Sequence, residues 1–462
     1  MTIQIPSSDQ GIKPSPTASL ADLADYRLDY SLWDPSNPSS TEETRRRFVN
    51  SLRSAATLGL GFFYLSNTPL EGDRRRHLFS RTRAFFQETS LEDKLSIEMA
   101  RSRHFRGYTA VGDEMTLGRK DERDQIDFGY DLDTYLDRRR AAVGREESGQ
   151  KQEWEEEEES LISEWRSDPE LEKLSFLNLV GPNQYPSEEG HPNLVGFKDS
   201  VRDWSTTCEE LVVQLTKALE EALGVESGRL VRTLKGEDDQ DQVGDRVGGE
   251  SELDPSRTAI KRLGPLPFCR MKVIRYPPIS DPTTTNNNSN NNDSDQGVGP
   301  HKDSGWITLL ATSDVAGLEV QDFKGNWIDV PHIDGEMVVN FGQQIEYQTR
   351  GLVQAACHRV VRRQDSKSRT RYSIPYFSFP ALNAKLRPLS EKELKPLLDL
   401  WSETEEEGNH QREDRHREGI IVSDVPKGDL YADADDHFGW VAWKGLVRSH
   451  PKVVENFYRA IG

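Results

Sequence analysis

The sequence predicts a mainly β core with helical flanks, in which antiparallel strands form a sandwich or jelly roll. From residue 268 to 380, short runs rich in valine, isoleucine and aromatic residues recur at even intervals. Gly, Asp, Asn or Pro separates them. This spacing is typical of all-β sandwiches and jelly rolls. Apolar residues with helical periodicity lie before this region, and helix-like sequence also fills the last 80 residues.

The chain divides into four predicted parts. Residues 1–20, rich in Ser and Pro, are predicted to be a disordered tail. Residues 21–257 form a helical N-terminal region with acidic insertions. Residues 258–385 form the β domain, which carries a low-complexity polar insertion at 281–297. Residues 386–462 form a C-terminal helical segment.

Individual elements can be assigned from caps, breakers and periodicity. Thr41 is a plausible N-cap for a helix that Gly59 and Gly61 stop. The run "GLEVQDFKGNWIDV" predicts a hairpin with a short loop. Further predicted elements are a buried strand within 61–70, helices at about 72–87 and 91–100, a charged surface helix or insertion at 137–168, and a long amphipathic helix over 192–233.

Negative charge is concentrated in four stretches. The formal net charge is −20, of which −19 lies in residues 145–160, 235–254, 281–295 and 402–418. The rest of the chain is therefore close to neutral. The sequence has no basic patch, so we expect no nucleic-acid partner.

Cysteine usage and hydropathy favour a soluble protein of a reducing compartment. The three cysteines, Cys208, Cys269 and Cys357, stand far apart and form no CxxC pair. The first 20 residues lack the pattern of a signal peptide, and no long apolar run predicts a membrane span. We therefore expect a cytoplasmic protein with no membrane partner.

A candidate metal site follows from His301, Asp303 and His358. Side chains two apart on a strand point to the same face, so His301 and Asp303 can reach one ion while Lys302 points away. His358 lies on a later strand-like run and can complete the site. Two imidazoles and one carboxylate leave open positions, which is typical of non-haem Fe(II) oxygenases, whereas zinc usually takes a closed site or a single open position.

Arg371 and Ser373 lie two residues apart on another predicted strand, so their side chains also point to the same face of the sheet. A guanidinium beside a hydroxyl can bind a carboxylate through charge-assisted hydrogen bonds. The alternative is that Arg371 pairs with a surface acid and Ser373 is an ordinary strand residue. His332, followed two residues later by an aspartate, sits in a Pro/Gly turn and is interpreted as structural.

The order HxD…H…RxS resembles the iron(II)/2-oxoglutarate-dependent oxygenases of the isopenicillin N synthase-like group. The residues that carry it are His301, Asp303, His358, Arg371 and Ser373. The resemblance also covers "GFFYLSNTPL", "RHFRGY", "GPNQYP", "IRYPP" and "GLEVQDFKGNWIDVP", and thus most of the chain outside the acidic and Asn-rich insertions.

The resemblance implies a distorted double-stranded β-helix, with residues 258–385 as the oxygenase domain. It implies that His301, Asp303 and His358 hold Fe(II). It also implies that 2-oxoglutarate binds that iron and places its distal carboxylate on three side chains. These are Arg371, Ser373 and Tyr276.

The expected function is that of a 2-oxoglutarate-dependent dioxygenase that oxidises a small organic molecule. Hydroxylation is the expected reaction, and desaturation and ring formation are the alternatives. 2-Oxoglutarate and O₂ are converted to succinate and CO₂. Candidate substrate-contacting residues are Arg106, Tyr108, Phe377 and Phe379.

Ile274 departs from the pattern of the group. Many relatives have an asparagine two residues before the tyrosine that corresponds to Tyr276. The segment "IRYP" is more similar to the corresponding sequence of isopenicillin N synthase itself, which uses no 2-oxoglutarate. An oxidase of that kind, and an inactive relative that acts as a binding protein, are therefore the alternatives.

Overall fold

Two facing β-sheets and a small hairpin contain the strands of the described part of the chain. The strands are β1 (Arg27–Asp29), β2 (Phe62–Ser66), β3 (Gly107–Thr109), β4 (Met115–Thr116), β5 (Arg119–Lys120), β6 (Asp124–Gly129), β7 (Cys269–Tyr276), β8 (Gln296–Lys302), β9 (Ile307–Thr312), β10 (Leu318–Gln321), β11 (Trp327–Asp329), β12 (Met337–Phe341), β13 (Cys357–Val361) and β14 (Arg371–Ser378). The larger sheet has the order β1-β2-β12-β9-β14-β7-β6-β3 and the smaller one β11-β10-β13-β8, while β4 and β5 pair with each other. All pairs are antiparallel except β1–β2.

Helices precede, follow and interrupt these strands. They are α1 (Glu42–Thr57), α2 (Asp73–Glu88), α3 (Leu91–Ser96), α4 (Leu132–Ala142), α5 (Pro169–Glu172), α6 (Phe197–Leu223), α7 (Arg229–Lys235), α8 (Gln343–Gln348), α9 (Glu391–Ser402), α10 (Phe438–Ser449) and α11 (Pro451–Phe457). None of the helices that the structure describes is long and apolar enough to cross a membrane.

The computed structural model describes most of the chain outside the insertions. The described residues are 26–116, 119–142, 163, 165, 167–237, 260, 263–278, 296–362, 368–402 and 437–458. The predicted tail 1–20 and all or nearly all of the four acidic stretches and the polar insertion lie outside them.

Alternation along the strands separates an inner and an outer layer. On β7, Met271 and Val273 belong to a large apolar cluster that also contains Trp204 of α6. Ile274 and Tyr276 belong to a smaller cluster with residues of both sheets. Because neighbouring side chains on a strand point to opposite faces, even-numbered residues of β7 face the space between the sheets. This inner space is where a site can form.

The N-terminal part of the chain contributes strands as well as helices to this fold. β2 pairs with β12, and β6 pairs with β7, so region 21–257 supplies four strands of the larger sheet. Its description as helical is therefore incomplete. A boundary at residue 257 would assign strands of one hydrogen-bonded sheet to two different regions.

The helix predicted from Thr41 is confirmed, whereas the one predicted over 192–233 is too long. Thr41 and Thr44 form a capping box, in which each hydroxyl accepts a hydrogen bond from the other residue's backbone N–H. The later helix ends at Leu223 because Gly224 adopts a left-handed conformation with φ of 66°, and a separate helix follows at Arg229.

Candidate metal centre and active-site cavity

His301, Asp303 and His358 meet at one end of the smaller sheet. His301 lies near the end of β8, Asp303 follows that strand directly, and His358 on β13 stands opposite His301 in the ladder. Asp303 Oδ1 is 3.6 Å from His301 Nε2 and 3.7 Å from His358 Nε2. The potential ligand atoms all lie within 4.8 Å of one another. This is the only such group of three found among the described residues.

Both imidazoles are oriented by backbone carbonyls. His301 Nδ1 is 2.8 Å from the Gly299 oxygen, and His358 Nδ1 is 3.0 Å from the Ala356 oxygen. A carbonyl oxygen can only accept a hydrogen bond, so each Nδ1 carries the proton. Each Nε2 then presents its lone pair towards Asp303, as a metal ligand requires.

Asp303 is held so that one carboxylate oxygen remains for an ion. Thr308 Oγ1 on β9 and Asn340 Nδ2 on β12 donate hydrogen bonds to Oδ2, at 2.6 Å and 2.7 Å. The carboxylate is thereby linked to two strands of the larger sheet, and Oδ1 faces the two imidazoles. Such outer hydrogen bonds orient ligands and tune their affinity for metals.

Electrostatics keep His301 and Asp303 in the protonation states that metal ligation needs. Burial, with the neighbouring His358, lowers the pKa of His301 to about 4, although Asp303 opposes the shift. Burial by itself raises the pKa of Asp303, but His358, His301, Asn340 and Thr308 outweigh it and hold that pKa below its usual value. At neutral pH, His301 is therefore a neutral donor and Asp303 an anion.

Replacing Thr308 with valine should weaken Fe(II) binding by roughly 10–100-fold, the usual cost of losing a partner of a metal ligand. Valine keeps the shape of the side chain but donates no hydrogen bond to Asp303, so the carboxylate loses part of its orientation. Anaerobic Fe(II) titration measures the effect. Thr308→Ser is the matched control, because it keeps the hydroxyl and should bind iron nearly as well as the unaltered protein. Equal iron affinity for the valine and serine variants would contradict a positioning role.

Arg371 and Ser373 lie on the inner face of β14, in the opposite sheet. They stand opposite Tyr276 and Ile274 of β7 in the ladder. The Arg371 guanidinium carbon is 5.0 Å from the centre of the Tyr276 ring. Burial lowers the pKa of Arg371, and Tyr276 opposes that shift. The structure thus brings together the three residues predicted to hold a carboxylate.

The Arg371 side chain fits a carboxylate ligand because part of its hydrogen-bonding capacity is unused. Arg371 is 4% exposed, yet Nε and Nη1 make no hydrogen bond within the described residues. A buried guanidinium without acceptors is costly, so an anion there would remove a substantial penalty. Ile274 is buried beside this position and donates no hydrogen bond from its side chain.

A cavity of about 290 Å³ opens beside His301 and Asp303. Its walls include Phe377 and Phe379, two of the residues predicted to contact the substrate. The C-terminal helix α10 also contributes residues to it. The remaining lining residues used below are Glu114, Asp121, Arg123, Phe268, Arg270, Lys272, Phe438, Val441, Leu446 and His450.

Arg106 and Tyr108 are not among the residues that line this cavity. Arg106 is fully buried, and its guanidinium donates to the backbone oxygens of Leu179 and Gly181. Tyr108 donates to Asp124 Oδ2 at 3.1 Å, and its ring packs against Phe85 on the helical side of the sheet. Their placement corrects the expectation of substrate contact, because both side chains are committed to internal packing and hydrogen bonding.

Sequence reasoning missed the charged residues that line the cavity, although β7 contains a signal for two of them. In "CRMKVIRY", Arg270 and Lys272 alternate with Met271 and Val273. Charged residues at alternate positions of a strand inside a core are expensive unless they have partners or a ligand. The contribution of α10 has no comparable local signal, because it depends on where a distant helix docks.

Two regions of the chain match models of known protein families. Residues 268–380 match the model of the 2OG-Fe(II) oxygenase superfamily. Residues 28–188 match the model described as the non-haem dioxygenase in morphine synthesis N-terminal region. The chain belongs to the iron(II)/2-oxoglutarate-dependent oxygenases. The oxygenase uses Fe(II) and 2-oxoglutarate, and its activity is that of a 2-oxoglutarate-dependent dioxygenase.

Related oxygenases match over most of their length. The 2-oxoglutarate-dependent dioxygenase frbJ of Dothideomycetidae sp. (strain 11243) is 26% identical over 417 residues, which covers 90% of this chain and 88% of the relative. A 2-oxoglutarate-dependent dioxygenase of Gibberella zeae is 28% identical over 354 residues, or 74% and 73% of the two chains. Homoarginine-6-hydroxylase 2-ODD-C23 of Glycine max is 26% identical, with 74% and 80% covered.

The fold of the oxygenase is the double-stranded β-helix of solved relatives. A full-length Neurospora crassa protein, crystallised in complex with alpha-KG, superimposes with a TM-score of 0.53 at 21% identity, over 80% of this chain and 90% of the Neurospora crassa chain. A 2OG-Fe(II) oxygenase family protein from Caulobacter crescentus gives a TM-score of 0.51 at 20% identity, with the same coverage. The predicted fold class is confirmed.

Proposed function

We propose that this protein hydroxylates a C–H bond of a small organic molecule, with Fe(II) held by His301, Asp303 and His358. In the same proposal, Arg371 and Ser373 bind the distal carboxylate of 2-oxoglutarate, and the Tyr276 ring packs against Arg371. Iron with the bound 2-oxo acid supplies the activation of O₂. The protein positions the ligands and the substrate.

The observation that carries the proposal is the pairing of an open-faced triad with a buried arginine that has two nitrogen atoms without a hydrogen bond within the described residues. Two histidines and one carboxylate leave coordination positions free for a 2-oxo acid and for O₂. The unused donors of Arg371 lie on the inner face of the opposite sheet. An inactive binding protein would have no need for either feature.

The substrate is proposed to enter the cavity beside His301 and Asp303. Phe377 and Phe379 line it, so an apolar part of the substrate can be held there while water is excluded. One relative is named a homoarginine-6-hydroxylase, which supports hydroxylation as the reaction type.

Anaerobic titration of the Fe(II)-loaded protein with 2-oxoglutarate tests the cosubstrate assignment. The weak visible charge-transfer band of the chelate should appear and saturate with one 2-oxoglutarate per protein. With O₂ and a substrate, succinate should then form in a one-to-one ratio with the oxidised product. Iron binding without the band, followed by O₂ consumption without succinate, would overturn the proposal and favour an oxidase of the isopenicillin N synthase kind.

We also propose a cytoplasmic location. The three cysteines are free and buried in the structure, as suits a protein kept in a reducing compartment. Fractionation of the source cells tests this, and recovery of the protein only with membranes or the medium would contradict it.

A further inference from the structure

We infer that the substrate carries a carboxylate attached to an apolar, ring-sized body, and that the charged wall of Arg123, Arg270 and Lys272 binds this carboxylate. The inference rests on the proposed function and specifies its substrate class. It arises from the arrangement of the charged and apolar sides of the cavity beside the triad.

The three cations of the charged wall are more exposed than two of the acids that pair with them. The side chains of Arg123, Arg270 and Lys272 are 13%, 11% and 14% exposed. Asp121 and Asp127, which pair with them, are 1% and 0% exposed. Asp121 also lines the cavity, but its carboxylate is nearly inaccessible, so a ligand finds more accessible guanidinium and ammonium surface than carboxylate surface from these pairs.

The third acid, Glu114, has little accepting capacity left for a ligand. Its Oε1 accepts hydrogen bonds from Gln125 Nε2 at 2.8 Å and Lys272 Nζ at 3.2 Å. Its Oε2 accepts from Arg123 Nη2 at 2.7 Å, and His450 Nε2 lies 3.7 Å from Oε1. Because Glu114 is engaged from several sides, it is a poor site for a substrate ammonium group.

Donors, in contrast, remain available on the same wall. Arginine has five N–H donors and lysine three. Within the described residues, Arg270 makes a hydrogen bond only through Nη2, which donates to Asp127, so its other N–H groups remain for a ligand. On the charged wall, the acceptor atoms are already hydrogen-bonded, whereas charged donors remain. Such a surface favours a ligand group with several acceptor atoms, and a carboxylate fits it in charge and geometry.

Another part of the cavity lining is aromatic and apolar. Phe379 packs between Phe268 and Phe438, with ring centres 5.1 Å and 5.9 Å away. Val441 and Leu446 of α10 continue this surface. A hydrocarbon or aromatic body is favoured here because its burial removes apolar area from water.

The substrate carboxylate and the cosubstrate carboxylate have separate places. The cavity is lined by His301 and Asp303, whereas Arg371, Ser373 and Tyr276 are not among its lining residues. A substrate acid on the charged wall therefore leaves Arg371 free for 2-oxoglutarate. Both anions can be bound at once.

Calorimetry under nitrogen, with protein saturated with Fe(II) and 2-oxoglutarate, tests the inference. The probes are 3-phenylpropanoate, 3-phenylpropanamide and 3-phenylpropylamine, and the same three head groups on a naphthalene body. Because hydrogen bonds to a charged partner are about twice as strong as neutral ones, each acid should bind at least about tenfold more tightly than its amide, and the amines most weakly. An amide or amine that binds as tightly as its acid would overturn the inference, as would the absence of binding by both acids.

Lys272 provides the matched variants. In Lys272→Gln, Glu114 still has Arg123 and Asp127 still has Arg270 as partners, so no acid is left unpaired. This variant should lose most of the preference for acid over amide, and Lys272→Arg should keep it. Leu446→Ala should weaken acid and amide equally, because it alters the apolar side. An unchanged preference in Lys272→Gln would contradict the role of the charged wall.

The same samples separate this inference from the proposed function. The iron–2-oxoglutarate absorption band reports the metal and cosubstrate sites, and calorimetry reports the head-group preference. Acid preference without the band would overturn the proposed function and leave the inference standing. The band without acid preference would overturn the inference and leave the proposed function standing.

Discussion

Replacing Asp303 with alanine should abolish Fe(II) binding by the folded protein. Asp303 Oδ1 lies between the two imidazoles, and it is the anionic group of the triad. Without it, only two imidazole nitrogens remain as ligands. The loss should therefore exceed the roughly 10–100-fold cost of removing a hydrogen-bond partner of a metal ligand. Iron retained after anaerobic desalting, measured by atomic emission, gives the result directly. His301→Ala should behave in the same way.

Two further variants make this result interpretable. Asp303→Ala leaves Thr308 and Asn340 without their acceptor, at a cost of about 1–3 kcal/mol, so its melting temperature must be measured. Asp303→Asn keeps the size of the side chain and should also lose iron while it remains folded. His77→Ala, at an exposed position on α2, is the control and should bind iron normally. Full iron binding by Asp303→Ala would refute the assignment of the site.

Replacing Arg371 with glutamine should raise the dissociation constant of 2-oxoglutarate by about 100-fold, which corresponds to the loss of charge-assisted hydrogen bonds from one guanidinium. The affinity for Fe(II) should not change, because Arg371 lies on β14 and the triad belongs to the smaller sheet. Anaerobic titration of the chelate band measures the first quantity, and Fe(II) titration without 2-oxoglutarate measures the second.

Arg369→Gln is the matched control for this prediction. Arg369 lies two residues before Arg371, is half-exposed and pairs with Asp314 on the surface. Its loss should leave the affinity for 2-oxoglutarate unchanged. Arg371→Lys keeps the positive charge without the planar fork and should bind 2-oxoglutarate with intermediate affinity. An unaltered dissociation constant in Arg371→Gln would assign Arg371 to the substrate or to a structural role.

The metal centre could be predicted because its signals are local. His301 and Asp303 are two residues apart at a strand end, and His358 lies on a strand that pairs directly with it. Strand alternation then sets which side chains share a face. The same rule placed Arg371 and Ser373 together. Short-range geometry was sufficient for these residues.

Other expectations failed where distant contacts decide the outcome. The motif "RHFRGY" singled out Arg106 and Tyr108, yet the packing of residues 179–181 and Asp124 against them uses both side chains internally. The predicted long helix ends at Leu223, because the next residue, Gly224, adopts a left-handed backbone conformation that is favourable for glycine. Periodicity alone does not show where such a glycine ends a helix.

The sequence by itself determined the strand-rich core, the capped first helix and the set of side chains that can bind iron and a carboxylate. Only the tertiary structure decided how Thr308 and Asn340 orient Asp303, and which residues enclose the substrate. The cavity joins β7 and β14 to α10, and residues such as Phe268 and Phe438 are 170 positions apart in the chain yet lie on one wall. Periodicity reflects the geometry of a single element, whereas a cavity is formed by the docking of several.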